Sequence, residues 1–165
     1  RNNFIKNLAL DLKGNTLILY ARVEGHGQPL YELINSNNLL ENRHVFFIHG
    51  GVDTEDREKV REITEKESNA IIVASYGTFS TGINIKNLHN IIFASPSKSR
   101  IRNLQSIGRV LRKGDKKVKA TLYDIADDIR YKSRKNYTLN HLIERIKIYN
   151  EENFNYDIIN VPIKD

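Results

Sequence analysis

The stretch IIVASYGTFSTGINIKNLHNIIFA (71–94) decides the fold, because it holds two short apolar runs separated by a polar loop. The runs AIIVA (70–74) and NIIFA (90–94) are too short for typical helices and carry almost no polar side chains. Continuous apolarity of this length is typical of strands that are buried on both faces. The stretch therefore predicts two strands of a parallel sheet, joined through a polar, glycine-containing loop.

The rest of the chain repeats this pattern of short apolar runs and helical segments. Further strands are predicted in TLILY (16–20), VFFI (45–48), ATLYDIADD (120–128) and NYDIINVPI (155–163). Apolar residues at helical spacing predict helices over residues 3–13, 29–34, 53–66 and 138–150. Alternation of this kind predicts an α/β fold, with a parallel sheet of about six strands and helices on both faces. Ligands of such sheets bind beyond the carboxyl ends of the strands.

Composition indicates one soluble globular domain. The chain has 165 residues, of which 39% are hydrophobic and 28% charged, and no apolar run is long enough to span a membrane. The absence of Cys excludes disulfides and thiolate–metal sites, and it suits a cytosolic location. No metal site is predicted. Met is absent even at position 1, so we expect a piece of a longer protein.

Positive charge is concentrated in one segment. The net charge is +6, but residues 98–135 alone carry 13 Lys and Arg against 4 Asp and Glu. This concentration favours a phosphate-bearing partner, nucleic acid or nucleotide. An ordinary solvated basic face is the alternative.

The stretch QSIGRVLRKG (105–114) lies inside that segment and predicts an arginine-bearing helix. On a helical wheel Gln105, Gly108, Arg109 and Arg112 form one stripe, opposite an apolar arc. Two guanidinium groups on one stripe can bind a shared anion such as phosphate, and glycine beside them permits close approach. An amphipathic surface helix with solvated arginines would have the same pattern.

The chain lacks the parts of a complete ATPase. No Gly-x-x-x-x-Gly-Lys-Ser/Thr run occurs, and no strand ends in an Asp-Glu pair that could hold magnesium. If the arginines serve phosphoryl transfer, they act on a nucleotide that another domain holds. We therefore expect no ATPase activity from this chain alone.

Four segments together resemble the second, C-terminal RecA-like domain of superfamily 2 helicases. They are TLILYAR (16–22), FIHGGVDTEDRE (47–58), the stretch 71–94 and QSIGRVLRKG, in the order that the family has. The resemblance implies that residues 1–165 are such a domain, with 136–165 a less characteristic C-terminal extension. The last two segments are most similar to phage recombination and repair helicases.

The resemblance implies roles at a nucleotide. Arg109 and Arg112 would be arginine fingers that reach the γ-phosphate from across a cleft between domains. The other implied nucleotide contacts are Gln105, Gly82, Asn84 and Gly108. Asn84 stands where many family members have an Asp, which weakens its assignment. The implied cofactor is ATP with Mg²⁺, held mainly by a missing N-terminal RecA-like domain.

The resemblance also implies nucleic-acid contacts at Tyr20, Arg22, His49, Gly50 and Ser75. Hydroxyl and N–H groups there would bind sugar-phosphate without base readout. Each side chain has a structural alternative, since Tyr20 could pack, His49 could be an ordinary turn residue, and Ser75 could cap the next loop.

Two other features have no assigned ligand. His26 lies between two glycines in the predicted loop ARVEGHGQ (21–28), which could bind phosphate, but no second ligand is evident. The carboxylates of Asp124, Asp127 and Asp128 are expected to cap a helix or pair with Arg130 and Lys132, not to bind a metal.

The function implied is one half of an ATP-dependent DNA helicase or translocase of recombination, replication-fork or repair processing. Its expected partners are nucleic acid, with DNA favoured over RNA, and the N-terminal RecA-like domain; no membrane is expected. Half of an RNA helicase, or a non-catalytic nucleic-acid-binding module, are the alternatives. The expected location is the cytoplasm, that of a phage-infected bacterium if the finer resemblance holds.

Overall fold

The computed structural model describes residues 1–37, 42–80, 85, 87–95, 120–129, 132–134 and 136–162. They form two compact units, Arg1–Ala126 and Asp127–Asp165, which are described separately. The helices of the first unit are α1 (Asn2–Asp11), a π-helix (Val23–Gly27), α2 (Gln28–Asn35), α3 (Thr54–Lys66) and α4 (Tyr76–Ser80). Its strands are β1 (Thr16–Tyr20), β2 (Val45–Ile48), β3 (Ile71–Ser75), β4 (Asn90–Phe93) and β5 (Thr121–Asp124). The second unit contains α5 (Tyr137–Glu151).

The five strands form one parallel sheet in the order β2-β3-β1-β4-β5. The register pairs Tyr20 of β1 with Ser75 of β3, and it pairs Leu19 of β1 with Phe93 of β4. Because every strand pair is parallel, the carboxyl ends of all strands lie at the same edge, which we call the carboxyl edge. The predicted α/β fold and parallel sheet are confirmed.

Strand β1 lies at the centre, and all five of its residues are buried. On one face, Ile18 and Tyr20 pack in a single core with Ile5 of α1 and Ile34 of α2. Burying side chains of this size stabilises the fold by about 1.5–3 kcal/mol each. A ten-residue helix such as α1 is marginal by itself, so this packing holds it in place. The other face is covered too, since Leu17 is also fully buried.

At the opposite, amino edge, the buried side chain of Asn15 joins several elements. Its Nδ2 donates to the carbonyls of Thr64, Glu67 and Asn87 at 3.0, 2.8 and 2.8 Å. Its Oδ1 accepts from the Ala70 N–H at 2.8 Å. One polar side chain thus fixes the end of α3 and the start of β3 relative to β1.

Three sequence predictions need correction. The predicted sixth strand in 155–163 is wrong: residues 154–162 form no strand, and Ile158 and Ile159 there are 65% and 79% exposed. Pro162 lacks an N–H and so cannot donate to a strand ladder. The loop predicted over 21–28 contains the π-helix, and the loop after β3 begins with α4. The sheet therefore has five strands in the part of the chain described.

The second unit is organised by hydrogen bonds before α5. Asn136 Nδ2 donates to the Asp127 carbonyl at 2.8 Å, and its Oδ1 accepts from the Ile129 N–H at 3.2 Å. Tyr149 packs its ring against Phe154 after the helix end. Among the helices that the structure describes, none has both the length and the apolar character needed to cross a bilayer.

Candidate nucleic-acid interface at the carboxyl edge

The predicted nucleic-acid contacts all lie at the carboxyl edge of three adjacent strands. Tyr20 and Arg22 are at and after the end of β1, His49 and Gly50 follow β2, and Ser75 ends β3. The order β2-β3-β1 makes these strand ends neighbours. The structure therefore brings the five residues to one side of the domain, although they are not equally available there.

Tyr20 is part of the core. It is 0% exposed, and its hydroxyl donates to the Ile48 carbonyl at 3.1 Å. Burial raises its pKa to about 12 by disfavouring the charged phenolate. Its ring also packs against Phe47, with centroids 5.9 Å apart. The predicted direct contact of its side chain with nucleic acid is therefore not supported, and the packing alternative describes its position.

Arg22 is exposed at the start of the π-helix. Its carbonyl accepts from the Gly27 N–H at 2.9 Å, which is the five-residue step of a π-helix, and from the His26 N–H at 3.2 Å. The backbone of Arg22 is thus fixed while its guanidinium faces solvent. A solvent-facing cation on a fixed backbone suits contact with phosphate.

The turn after β2 holds His49 and Gly50 in a defined conformation. His49 Nδ1 accepts from the Gly51 N–H at 3.1 Å, and its carbonyl accepts from the Val52 N–H at 3.0 Å. Arg57 of α3 donates to the Gly50 carbonyl at 3.1 Å. Since Nδ1 is an acceptor, the neutral imidazole carries its hydrogen on Nε2 and can donate it. An added Cβ at Gly50 would meet nothing within 4 Å, so the backbone there is open to a ligand.

Ser75 uses its hydroxyl within the chain. Its Oγ lies 2.7 Å from Thr78 Oγ1 and accepts from the Thr78 N–H at 3.2 Å, which caps α4. The capping alternative therefore describes the hydroxyl. Ser75 remains half-buried, so a ligand contact would have to share this bond.

The predicted nucleotide contacts lie outside the described residues. These predictions are the arginine fingers Arg109 and Arg112 and the contacts Gln105, Gly82, Asn84 and Gly108. Most of the basic segment 98–135 lies outside them as well, and its predicted role stays a prediction.

The structure also joins residues that sequence reasoning did not group. His26 of the π-helix contacts Ser95, which follows β4, through Nδ1 and Asn2 of α1 through Nε2. Arg1 donates to the Ala94 carbonyl at 2.6 Å, also at the end of β4. Two glycines around His26 were the sole local signal. Its partners could not be found, because nothing local in the sequence says that β1 lies beside β4.

Comparison with known families matches residues 1–114 to the family described as helicase conserved C-terminal domain. The chain belongs to this helicase family. The predicted identity as the second RecA-like domain of a superfamily 2 helicase is thereby confirmed, together with the RecA-like form of the α/β fold.

Individual relatives of this helicase domain agree. It is 40% identical over 169 residues to the ATP-dependent DNA helicase uvsW of Enterobacteria phage T4, and 32% identical over 147 residues to the putative ATP-dependent RNA helicase L396 of Acanthamoeba polyphaga mimivirus. These alignments cover 94% and 83% of this chain but 33% and 26% of the relatives. The chain thus spans about a third or less of the curated relatives.

Solved structures give the same result. The crystal structure of T4 UvsW matches with a TM-score of 0.76 over 94% of this chain and 33% of that one. Domain 2 of the DEAD-box helicase Mss116p, bound to an RNA duplex, matches with a TM-score of 0.55 over 76% of this chain and 46% of that one, at 18% identity. The second likeness concerns the fold alone. The predicted resemblance to a phage helicase is confirmed.

Proposed function

We propose that this chain is the C-terminal motor domain of an ATP-dependent DNA helicase or translocase that acts in recombination, replication-fork or repair processing. The observation that carries the proposal is the 40% identity to the T4 DNA helicase across 94% of the chain. The carboxyl edge supports it, because an exposed Arg22 and the open turn at Gly50 lie on neighbouring strand ends.

In this proposal the ATP and Mg²⁺ are held mainly by an N-terminal RecA-like domain of the same longer protein. ATP supplies the phosphoryl group whose hydrolysis drives the cycle. Arg109 and Arg112 would stabilise the negative charge of the γ-phosphate, and Gln105, Gly82, Asn84 and Gly108 would line the nucleotide. Because these residues lie outside the described part of the chain, we assign them no geometry.

The described residues of the carboxyl edge would hold the nucleic-acid backbone. Arg22 would supply positive charge to a phosphate, and the His49 Nε2–H and the exposed Gly50 backbone would supply contacts without base readout. Tyr20 would act indirectly, because its hydroxyl holds the carbonyl that precedes His49. Contacts of this kind bind any sequence, which a translocating motor requires.

Two further predictions belong to the same proposal. Residues 1–165 would form a helicase C-terminal domain, with 136–165 as a less characteristic C-terminal extension. The protein would work in the cytoplasm of a phage-infected bacterium, as a relative from phage T4 suggests.

A second candidate is half of an RNA helicase. It is supported by the 32% identity to the mimivirus relative, a putative ATP-dependent RNA helicase. The lower identity and coverage make DNA the favoured substrate. A non-catalytic nucleic-acid-binding module is the remaining alternative.

The test uses the longer protein that contains this chain. ATP turnover is measured with single-stranded DNA, with single-stranded RNA and without nucleic acid. Replacing Arg109 or Arg112 with Ala should lower turnover about 10³–10⁵-fold, the range known for arginine fingers. DNA binding should stay within about threefold in these variants, because the fingers would face the nucleotide. Arg61→Ala is the control, since Arg61 pairs with Glu58 and Glu65 on an exposed helix face. The chain Arg1–Asp165 alone should hydrolyse no ATP.

The nucleic-acid arm replaces Arg22 with Ala. DNA affinity should fall by a similar factor for all sequences, and the slope of log K against log salt should decrease by about one. Turnover that depends on RNA but not DNA would favour the second candidate. Unchanged turnover in both finger variants would refute the assignment of the arginine fingers. A wild-type protein that binds nucleic acid but has no ATPase activity would refute the motor function and favour the non-catalytic binding module.

A further inference from the structure

The side chain of His26 connects two separate segments at the carboxyl edge. Its Nε2 lies 3.0 Å from Asn2 Oδ1, and its Nδ1 contacts Ser95 Oγ. Ser95 directly follows the end of β4, while His26 is in the π-helix that follows β1. The imidazole thus bridges the segments that leave two adjacent central strands.

In a neutral ring, the two contacts assign the hydrogen to one of the two nitrogens. The amide oxygen of Asn2 is an acceptor, so His26 Nε2 carries a hydrogen and donates it. In the neutral imidazole Nδ1 is then an acceptor, and the Ser95 hydroxyl donates to it. Both ring nitrogens are therefore engaged, and the ring has one orientation relative to Ser95.

The same π-helix is also connected, through Tyr20, to the turn that contains His49. A Cβ on Gly27, the residue after His26, would lie 2.4 Å from the ring of Tyr20, so the helix backbone rests directly on that ring. The Tyr20 hydroxyl in turn donates to the carbonyl of Ile48, the residue before His49. An unbroken series of direct contacts therefore runs from the His49 turn through Tyr20 and the π-helix to Ser95.

The local backbone suggests that this arrangement is specific. A π-helix is rare and often occurs at functional sites, and this one exists because the Gly27 N–H reaches the Arg22 carbonyl five residues back. The extra residue per turn brings His26 into position between Asn2 and Ser95. Only glycine fits at position 27, since any side chain would clash with the Tyr20 ring.

From this series of contacts we infer that His26 is a positioning residue. It couples the His49 turn, where nucleic acid would bind, to the segment after β4. Beyond Ser95 the chain continues to QSIGRVLRKG, which carries Arg109 and Arg112. When nucleic acid binds the His49 turn, the contacts through Tyr20 and His26 set the position of Ser95. The inference rests on the proposed function and adds to it the residue through which bound nucleic acid stimulates ATP turnover. Spatial contact by itself is not coupling, so the claim needs an energetic test.

The test again uses the longer protein. His26→Ala removes the ring contacts with Asn2 and Ser95, and Ser95→Ala removes just the hydroxyl at one end of the bridge. The control is His44→Ala, which removes a histidine from the amino edge, where it pairs with Glu67. Three quantities are measured for each: ATP turnover without nucleic acid, turnover with saturating single-stranded DNA, and the dissociation constant for that DNA.

For His26→Ala we expect basal turnover within twofold and DNA affinity within threefold of the wild type, with DNA-stimulated turnover reduced at least tenfold. Ser95→Ala should give the same pattern, and the double variant should be no worse than either single variant, because both remove one connection. His44→Ala should behave as the wild type. A role in structure alone would instead lower basal turnover, thermal stability and stimulation together.

The outcomes separate this inference from the proposed function. Stimulation that is unchanged in His26→Ala and Ser95→Ala overturns the coupling and leaves the motor function intact. Basal and stimulated turnover that fall in parallel also overturn it. If His26→Ala does not fold, the Ser95→Ala result decides in the same way. A wild-type protein without DNA-stimulated turnover removes the proposed function and the coupling together.

Discussion

Replacing Tyr20 with Phe tests whether this residue packs or contacts nucleic acid. The change deletes one oxygen from a side chain that is 0% exposed, and it leaves the ring and its contact with Phe47 in place. The lost interaction is the hydrogen bond from the hydroxyl to the Ile48 carbonyl at 3.1 Å. The variant therefore isolates a single buried hydrogen bond.

The expected loss follows from the burial of that bond. A net intramolecular hydrogen bond stabilises a protein by about 0.5–1.5 kcal/mol, and a carbonyl left without its donor costs about 1–3 kcal/mol. Because Phe fills nearly the same volume, no large cavity adds to the loss. We expect the free energy of unfolding at pH 7 to fall by about 1–2 kcal/mol.

Alkaline pH gives a second, independent signature. Burial raises the pKa of Tyr20 from 10.0 to about 12 in the folded protein. A folded-state pKa above the unfolded value means that the contribution is fully present below pH 10 and is lost between about pH 10 and 12. This pKa shift lowers the free energy of unfolding of the wild type by about 2–3 kcal/mol at most once the window is crossed. Tyr20→Phe has no such group, so the stability difference between wild type and variant should shrink across this window.

The assay is urea unfolding of the chain, followed by circular dichroism at pH 7, 9, 10 and 11. Tyr31→Phe is the matched control, since Tyr31 stacks on the same Phe47 ring but is half-buried. The control should change stability by less than about 0.5 kcal/mol. A Tyr20→Phe variant as stable as the wild type at pH 7, or with the wild-type alkaline slope, would refute this reasoning. If Tyr20→Phe bound DNA more weakly at unchanged stability, the Tyr20 hydroxyl would be a direct nucleic-acid contact.

Two further predictions concern the packing that supports the site. Gly27→Ala should lower the free energy of unfolding by about 1–3 kcal/mol, because its Cβ would lie 2.4 Å from the Tyr20 ring. Gly77→Ala, where nothing lies within 4 Å of the added Cβ, should cause no loss, and equal effects would contradict the clash. Asn15→Ala should cost about 2–4 kcal/mol in urea unfolding, since four backbone groups lose their hydrogen bond to this buried side chain. The exposed Asn3→Ala should stay within about 0.5 kcal/mol, and a similarly small effect at Asn15 would show that water replaces its bonds.

Much of the fold could be predicted because short strands that are buried on both faces leave a strong local pattern. TLILY and AIIVA have almost no polar residues, and all or nearly all of their residues are buried in the sheet. The error at 155–163 has the opposite cause. Residues such as Ile158 have the composition of a strand, but a strand also needs an edge to pair with, and composition does not specify one.

The candidate site was predictable in location and less so in the use of each side chain. Parallel strands end at one edge, so Arg22, His49 and Ser75 could be assigned to it from the sequence. Whether a residue at a strand end faces solvent depends on what packs over it. Tyr20 is covered by the nearby π-helix and bonded to Ile48, which lies 28 residues away along the chain.

By itself, the sequence determined the five strands of the sheet, their parallel direction and the family, because these depend on local apolar patterns and motifs in a fixed order. Only the tertiary structure decided that β1 lies between β3 and β4. That order brings His26 to Ser95, 69 residues away, and buries the Tyr20 hydroxyl against Ile48. The physical reason is that strand order and side-chain contacts arise from burial shared across the whole sheet, which no local segment encodes.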